Sequence, residues 1–259
     1  MHDQMKPLGF GQITGIDILG ESRGVLPSTE WKRNTYKKPE QQRWYSGETI
    51  SLGIGQGYNN FTMLQIAHAM GTVANNGLKM KPHLVREVVD VETKVSTPVA
   101  KEPVGQLPLL PENLEIIKKG MVGVNIEGTS ATSFIGAQYV SAGKTGTAQV
   151  FTVKQNEKYN AANIDERMRD HALFVAFAPA DDPKVALAMV VENAGFGAQN
   201  AAPIARRVFD FVIMGQYPSQ EDIDAVQKGQ ATRPIGKPRS IASVPWPPKA
   251  AELVPDDVV

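Results

Sequence analysis

Hydrophobic residues recur at helical spacing in several parts of the chain. Thr62 is followed by apolar residues three and four positions apart, which predicts a helix over about 62–75 with Thr62 as its N-cap. A similar stripe after Pro111, a favourable first helical residue, predicts a second helix that ends near Val124. A third stripe predicts a closing helix over about 201–214. The residues expected to face the core in this closing helix are Ala201, Ile204, Ala205, Val208 and Val212, and those expected to face water are Arg206, Arg207 and Asp210.

Short apolar runs rich in β-branched residues predict strands. The runs 174–177 and 185–191 are separated by the turn-forming segment 179–183, so they are expected to form an antiparallel hairpin. Residues 139–151 are expected to form a third strand. Residues 84–85 and 88–89 are expected to belong to a separate short hairpin, with residues 90–98 as its polar side. The order of helices, strand, hairpin and helix predicts an α/β fold of the layered α+β kind, in which helices flank an antiparallel sheet.

Polar and proline-rich segments interrupt this pattern. Residues 32–46 are basic and polar and are predicted to form a loop. The segment 216–259 contains repeated prolines and little apolar periodicity, so it is not expected to bury enough surface to offset the entropy lost on ordering. We therefore expect residues 1–215 to form the folded portion of the chain and residues 216–259 to be a disordered tail.

Charge and composition exclude several classes of function. Lys+Arg and Asp+Glu both number 27, so the zero net charge argues against bulk nucleic-acid binding. The chain has no cysteine, and its four histidines lack metal-ligand spacing, so no metal site and no cofactor are predicted. No apolar run approaches the roughly 18 residues of a membrane span, and residues 1–4 do not begin a signal peptide. The protein is therefore expected either to be cytoplasmic or to owe its export to a signal outside this sequence.

Residues 144–147, Lys-Thr-Gly-Thr, carry the strongest candidate chemistry. In a strand, the Lys144 ammonium would supply positive potential for an anionic substrate and for hydroxyl proton transfer. Thr145 and Thr147 would offer hydroxyl donors to a carboxylate, and the Thr147 backbone N–H could form part of an oxyanion hole. Gly146 would let an extended peptide lie against the strand. The motif alone is equally compatible with a strand end that carries a solvated lysine.

Other polar features favour structural interpretations. The glycines of segment 53–57 resemble a phosphate loop, but the segment lacks a Walker lysine and the full dinucleotide spacing, so a tight turn before the 62–75 helix is expected. His68 lies off the apolar stripe of that helix, and His171 begins a strand, and both are expected to have packing roles.

Several separated motifs together resemble one family. In chain order they are Thr14-Gly15-Ile16-Asp17, Gly20-Glu21, Leu26-Pro27, Gly53-Ile54-Gly55-Gln56-Gly57-Tyr58 and the Lys144 to Val150 strand. Over roughly residues 8–215 the chain is similar to the C-terminal part of the transpeptidase domain of class B penicillin-binding proteins. Arg169-Asp170-His171 and Ala178-Pro179 are similar to the penicillin-binding protein 2 group, which acts in cell elongation.

This resemblance implies a fold, a reaction and a set of site residues. The fold would be part of the serine β-lactamase-like transpeptidase fold. The reaction would be D,D-transpeptidation, in which a serine forms an acyl-enzyme with a peptidoglycan stem peptide ending in D-Ala-D-Ala, and β-lactams would trap that serine. By motif match, Lys144 would be catalytic, and Thr145, Gly146 and Thr147 would bind substrate.

The chain departs from the family pattern at the nucleophile. The family needs Ser-x-x-Lys and Ser-x-Asn or Ser-x-Asp before the Thr-Gly-Ile-Asp motif, and no Ser-x-Asn occurs in this sequence. Ser141 and Lys144 match Ser-x-x-Lys in letters, but positions i and i+3 of a strand point to opposite faces. The chain is therefore expected to be a C-terminal fragment without the nucleophile. Its strand over 185–191 is expected to lack a neighbour and to promote association.

The resemblance also implies partners and a location. The intact protein would lie on the periplasmic face of the bacterial inner membrane, with its anchor outside this chain. It would work with a RodA-type glycosyltransferase and the elongation machinery, and it would have no nucleic-acid partner. Two alternatives stay open: a fragment of a serine β-lactamase, and a non-catalytic module that binds peptide ends on the 144–147 strand.

Overall fold

A three-stranded antiparallel sheet forms the centre of the molecule in the computed structural model, which describes residues 1–150, 160, 164–230 and 232–244. The helices are α1 (His2–Met5), α2 (Thr29–Thr35), α3 (Pro39–Gln42), α4 (Ser46–Gly53), α5 (Met63–Ala74), α6 (Pro111–Ile126), α7 (Ala131–Phe134), α8 (Gly197–Asn200), α9 (Ala202–Met214) and α10 (Gln220–Gln227). The strands are β1 (Leu78–Met80), β2 (Glu87–Val89), β3 (Ser96–Pro98), β4 (Pro103–Gln106), β5 (Ala142–Ala148), β6 (His171–Ala178), β7 (Val185–Val191), β8 (Gln216–Tyr217) and β9 (Arg239–Ser240).

The central sheet has the order β5-β6-β7 and separates two layers of helices. Phe174 of β6 packs on one face against Phe134 of α7 and Phe209 of α9. Phe177 packs on the other face against Ala74 of α5, together with side chains of α6. The middle strand β6 is almost continuously apolar because both of its faces are covered. The predicted layered fold with an antiparallel sheet is confirmed.

The predicted hairpin and the predicted third strand both form. Strand β6 pairs with β7 in the register Phe174 to Met189, and β5 pairs with β6 in the register Lys144 to Val175. Strand β5 begins and ends inside the predicted range 139–151, whose last residue lies outside the described part of the chain. Among the described residues, β7 pairs with β6 and with no other strand, so its outer edge is open.

The helix after Thr62 forms as predicted and also anchors the N-terminal segment. The Thr62 hydroxyl accepts a hydrogen bond from the Gln65 backbone, and the Gln65 side chain accepts one from the Thr62 backbone, which completes a capping box. The Gln65 side chain is 1% exposed and donates to the carbonyls of Gln12 and Arg23. One buried amide therefore caps α5 and holds the segment that precedes it.

The Thr-Gly-Ile-Asp segment is fixed by carboxylates that accept backbone hydrogen bonds. Asp17 accepts from the N–H groups of Leu84 and Val85 at 2.7 and 2.9 Å, and Glu21 accepts from those of Thr14 and Gly15. The bonds from Val85 and Leu84 hold the pKa of Asp17 below its ordinary value. This motif therefore has a structural role, because it holds the irregular segment 14–21 against residues 84–85, just before β2.

The short hairpin forms, whereas the basic segment differs from its prediction. Strand β2 pairs with the polar strand β3 across the turn that contains residues 90–95, although residues 84 and 85 lie outside both strands. The predicted loop over 32–46 is wrong, since α2 and α3 occupy much of it. The Ser28 hydroxyl caps α2, and this side-chain signal lies just outside the segment that the polar composition describes. The glycines of segment 53–57 do form a turn after α4, and Gly55 and Gly57 have positive φ angles.

The predicted faces of α9 are largely wrong. Ile204, Val208 and Val212 were expected in the core but are 41%, 37% and 52% exposed. Arg206 and Asp210 were expected to face water but are buried, and they form a salt bridge at 2.8 Å. The helix instead turns its small residues and one phenylalanine to the sheet. These buried residues are Ala202, Ala205 and Phe209, with Ala201 just before the helix.

The pairing of buried charges explains this reversal and also orders part of the predicted tail. The Arg206 guanidinium donates to the carbonyls of Ser133 and Ile135 as well as to Asp210, so its burial is compensated. Arg207, also expected to face water, forms a bidentate salt bridge with Asp222 of α10, whose side chain is fully buried. The prediction of disorder is therefore wrong for the described residues of 216–244, and residues 245–259 lie outside the described part.

Within the described residues, no helix has both the length and the apolar character needed to cross a membrane.

Candidate active-site strand

The candidate motif lies on β5, and a buried polar network holds the start of this strand. Asn125, near the end of α6, donates from its amide to the Ser141 hydroxyl at 2.8 Å. The Ser130 hydroxyl donates to the Asn125 side-chain oxygen at 2.6 Å. All three side chains are at most 4% exposed. Since the members of the network satisfy one another, the network fixes β5 against the end of α6.

Close packing at Gly143 reinforces this position. A Cβ atom there would lie 2.6 Å from the ring of Phe174 and 3.0 Å from the Asn125 side-chain oxygen. Any larger residue would therefore displace β5 from the aromatic core or from the polar network. The residues directly before the motif are therefore held rigidly in place.

Lys144 is the first residue of the motif and is exposed. Its ammonium donates to the carbonyl of the adjacent Thr145 at 2.8 Å. No carboxylate among the described residues forms a salt bridge with it. An ammonium has three donors, and within the described part of the chain its hydrogen bonding is confined to this one carbonyl. The lysine can therefore still donate to a ligand.

Thr145 and Thr147 point to the same face of β5 because strand residues alternate. Both are half-buried. The Thr145 hydroxyl lies 2.9 Å from the hydroxyl of Thr129, which belongs to the turn between α6 and α7. Sequence reasoning missed Thr129 as a neighbour of the motif, and no spacing rule links positions 129 and 145.

Gly146 lies in a crowded part of the sheet. A Cβ atom at this position would lie 3.2 Å from the Cβ of Leu173 on β6. Gly197, at the start of α8, approaches the same region so closely that its own Cβ would lie 2.5 Å from the Gly146 carbonyl oxygen. Internal packing therefore gives Gly146 a structural reason to be glycine, alongside the predicted contact with a peptide.

The outer edge of β5 is open in the described structure. Strand β5 pairs with β6 on one side, and none of the described strands pairs with its other side. Backbone donors and acceptors on that edge are available to an extended peptide, which is the geometry of β-strand addition. The motif thus combines an open edge, a cation and two hydroxyls.

The remaining candidate side chains have structural partners. Ser141 is 3% exposed and accepts its bond from Asn125, so its side chain is buried and has a structural partner. His171 accepts a hydrogen bond from the Asn193 backbone through Nδ1. His68 Nε2 lies 2.6 Å from the Met80 carbonyl, and burial lowers the pKa of this histidine. Among the described residues, no group of histidines and carboxylates is arranged to hold a metal ion.

Comparison with known proteins finds similarity to one family over most of the chain. The sequence model of the penicillin-binding protein transpeptidase domain family matches residues 1–210. The chain is 42% identical over 227 residues to the peptidoglycan D,D-transpeptidase MrdA of Haemophilus influenzae, and 40% identical over 218 residues to MrdA of Escherichia coli K12. These alignments cover 84% and 83% of this chain, but the chain spans only 33% of each relative.

Solved structures give the same result. The crystal structure of Pseudomonas aeruginosa PBP2 in complex with WCK 5153 matches with a TM-score of 0.64 and 38% identity, covering 81% of this chain and 42% of that one. PBP2 of Helicobacter pylori, in its complex with MreC, matches with a TM-score of 0.64 and 27% identity, covering 83% of this chain and 36% of that one. The predicted resemblance to penicillin-binding protein 2 is confirmed. The chain belongs to the penicillin-binding protein transpeptidase domain family.

Proposed function

We propose that this chain supplies the carboxylate-recognition strand of a peptidoglycan D,D-transpeptidase that also binds penicillin. The observation that carries the proposal is the open edge of β5, where Lys144 is exposed and Thr145 and Thr147 share a face. A stem peptide would add to this edge as an extended strand. Its terminal carboxylate would accept hydrogen bonds from the threonine hydroxyls in the positive potential of Lys144. Gly146 would leave room for the peptide backbone.

The reaction would use a serine from a segment outside this chain. Its hydroxyl oxygen would attack the carbonyl carbon of the penultimate D-Ala, the terminal D-Ala would leave with a proton, and an acyl-enzyme would form. An amine of a neighbouring stem peptide would then attack the acyl carbon, form the cross-link and return the proton to the serine. Lys144 would assist proton transfer near the serine. The Thr147 backbone N–H would stabilise the oxyanion of each tetrahedral intermediate.

The proposed setting is cell elongation and the maintenance of cell shape. The relatives that carry the name MrdA are peptidoglycan transpeptidases, so we propose that the intact protein acts on the periplasmic face of the bacterial inner membrane. A RodA-type glycosyltransferase is the partner that the family resemblance implies. The Helicobacter pylori PBP2 structure is a complex with MreC, and we extend an MreC-type partner to the intact protein.

Reversible peptide binding tests the proposed role of β5. The probe is N-acetylated, side-chain-acetylated Lys-D-Ala-D-Ala, titrated as its free acid and as its C-terminal amide, with binding followed by NMR. A charge-assisted hydrogen bond contributes about 1.5–3 kcal/mol, so we expect the chain to prefer the acid by roughly tenfold or more. Lys144→Met and Thr145→Val should each reduce this preference.

The control for the lysine is Lys184→Met, because Lys184 is also exposed but lies on the turn before β7. This control should leave the preference unchanged. Equal binding of acid and amide, or a preference that survives both Lys144→Met and Thr145→Val, would refute the proposed role of the strand.

Two other functions give different results with β-lactams. A serine β-lactamase that contains this chain would hydrolyse nitrocefin with rapid turnover, whereas a transpeptidase would hold a long-lived acyl-enzyme. A non-catalytic module would bind the peptide without any covalent step in the intact protein. We expect fluorescent penicillin not to label this chain alone. Covalent labelling would reveal a nucleophile within it, and Ser141→Ala would be the first variant to make.

A further inference from the structure

Thr129 is an exposed residue whose position is fixed by both of its neighbours. A Cβ atom at Gly128 would lie 2.7 Å from the Cα of Val124, so glycine is required for this tight turn after α6. Ser130 is 1% exposed, and its hydroxyl lies within hydrogen-bond distance of the Val124 carbonyl and the Asn125 side chain. Thr129 therefore sits on a rigid turn although its own side chain faces solvent.

The Thr129 hydroxyl lies 2.9 Å from the Thr145 hydroxyl, and either can be the donor. A hydroxyl carries one hydrogen and two acceptor lone pairs. When Thr129 donates to Thr145, the hydrogen of Thr145 is free to point at a third group. The bond it accepts also polarises Thr145 and makes it a stronger donor. An anion at the β5 edge would select this direction of the pair over the reverse one.

We infer that Thr129 is a positioning residue for carboxylate recognition, acting through the Thr145 hydroxyl. The inference rests on the proposed function of β5 as the strand that binds the substrate carboxylate. It adds a contribution from a different element, the α6–α7 turn, which the motif does not contain. Thr129 would act on the preference for an anionic peptide end and would contribute little to binding of an uncharged end.

The test measures the preference for the acid over the amide of the acetylated Lys-D-Ala-D-Ala peptide in matched variants. Thr129→Val keeps the shape of the side chain but removes the hydroxyl, and Thr129→Ser keeps the hydroxyl. Removal of one neutral hydrogen bond should lower the acid preference roughly three- to tenfold in Thr129→Val, while affinity for the amide stays unchanged. Thr129→Ser should restore the preference. Thr132→Val is the matched control, because Thr132 is an exposed threonine one turn away, on α7.

Thr145→Val, measured in parallel, separates the two levels of the proposal. If Thr145→Val leaves the acid preference unchanged, the proposed function of the strand fails. If Thr145→Val lowers it and Thr129→Val does not, the inference about Thr129 is overturned while the proposed function stands. An equal loss of affinity for acid and amide in Thr129→Val would mean a merely structural contact and would also overturn it. Circular dichroism checks folding, and Thr129→Ala replaces Thr129→Val if the valine variant does not fold.

Discussion

Two lysines of this chain lie in contrasting environments. Lys32 is 3% exposed, forms a salt bridge with Glu48 and donates to the Arg43 carbonyl at 2.7 Å. Its ammonium also lies within 6 Å of the ring centroids of three aromatic residues, which are Trp44, Tyr45 and Tyr58. Lys144 is exposed, and the described structure gives its ammonium one bond, to the carbonyl of the next residue.

Lys32 therefore carries a charge that stabilises the fold, whereas the charge of Lys144 is available to a ligand. Burial alone would raise the pKa of Glu48, but hydrogen bonds from Lys32, the Tyr45 backbone and Tyr58 together hold it below its ordinary value. The positive charge of Lys32 is thus neutralised inside the molecule. That of Lys144 is not neutralised by any carboxylate in the described residues. Exposure and partners, and not residue type, mark Lys144 as the candidate for binding.

Replacement of Lys32 should give the largest effect. Lys32→Met leaves the Glu48 carboxylate without its cation in a partly buried site, which should lower the free energy of unfolding by about 3 kcal/mol. The matched variant Lys144→Met should change it by less than about 0.5 kcal/mol, because the side chain is exposed. Urea unfolding followed by circular dichroism measures both.

This pair of variants tests the comparison directly. Similar losses of stability in the two variants would contradict the distinction between the lysines. A stable Lys32→Met protein would mean that the aromatic residues around position 32 hold the segment without the ion pair.

The buried ion pair between α9 and α10 gives a second, more local test. Asp222 is fully buried and accepts two bonds from Arg207 and one from the Ile235 backbone. Asp222→Ala leaves these donors unpaired, so local opening of segment 216–244 should become easier by roughly 2–3 kcal/mol. Limited proteolysis within that segment should then speed up by about 30- to 150-fold when opening and closing are fast.

The control for this variant is Asp224→Ala on the same helix, because Asp224 is exposed and its side chain bonds only Gln220 in the described structure. Its proteolysis rate should match that of the parent chain. If Asp222→Ala is also cut at the parent rate, the ion pair does not hold the segment.

The sequence predicted elements whose signals are local. Thr62 and the apolar spacing after it define α5, and the turn at 179–183 defines the β6–β7 hairpin. The Lys-Thr-Gly-Thr motif is likewise predicted to lie on a strand, and it lies on β5 in the structure. These signals act over a few residues, so they survive without knowledge of the tertiary fold.

The wrong predictions for α9 and for segment 216–244 share one cause, which is the pairing of polar groups distant in sequence. The sequence predicts that Arg206 faces solvent, because it does not reveal that the carbonyls of Ser133 and Ile135 lie beside its side chain. It predicts that Asp222 belongs to a polar tail, because it does not reveal the salt bridge with Arg207. Thr129 at the candidate site escaped notice for the same reason. Hydrophobic periodicity reports only the positions of apolar residues along the chain. It does not indicate which charged residues are buried beside a partner.

The smallest expected effect is a pH dependence that comes from His68. Burial is the main reason that the pKa of His68 in the folded chain lies below its ordinary value of 6.5. The unfolded chain therefore binds a proton more readily, so the stability contribution of neutral His68 is complete above about pH 7. This contribution to stability is lost as the pH falls below 6.5 and then through the lowered pKa of His68 in the folded chain. His68→Gln can keep a donor to the Met80 carbonyl but cannot titrate.

The two proteins should therefore differ in the slope of unfolding free energy against pH between about 7.5 and 5, where the parent should lose more stability than His68→Gln as the pH falls. Urea unfolding at several pH values measures this slope. The other histidines, together with Asp17, Glu21 and Glu48, are present in both proteins, so their contributions cancel in the difference. Parallel pH profiles would show that His68 is charged as readily in the folded chain as in the unfolded one. The contrast between buried and exposed groups would then hold for the buried ion pairs but not for His68.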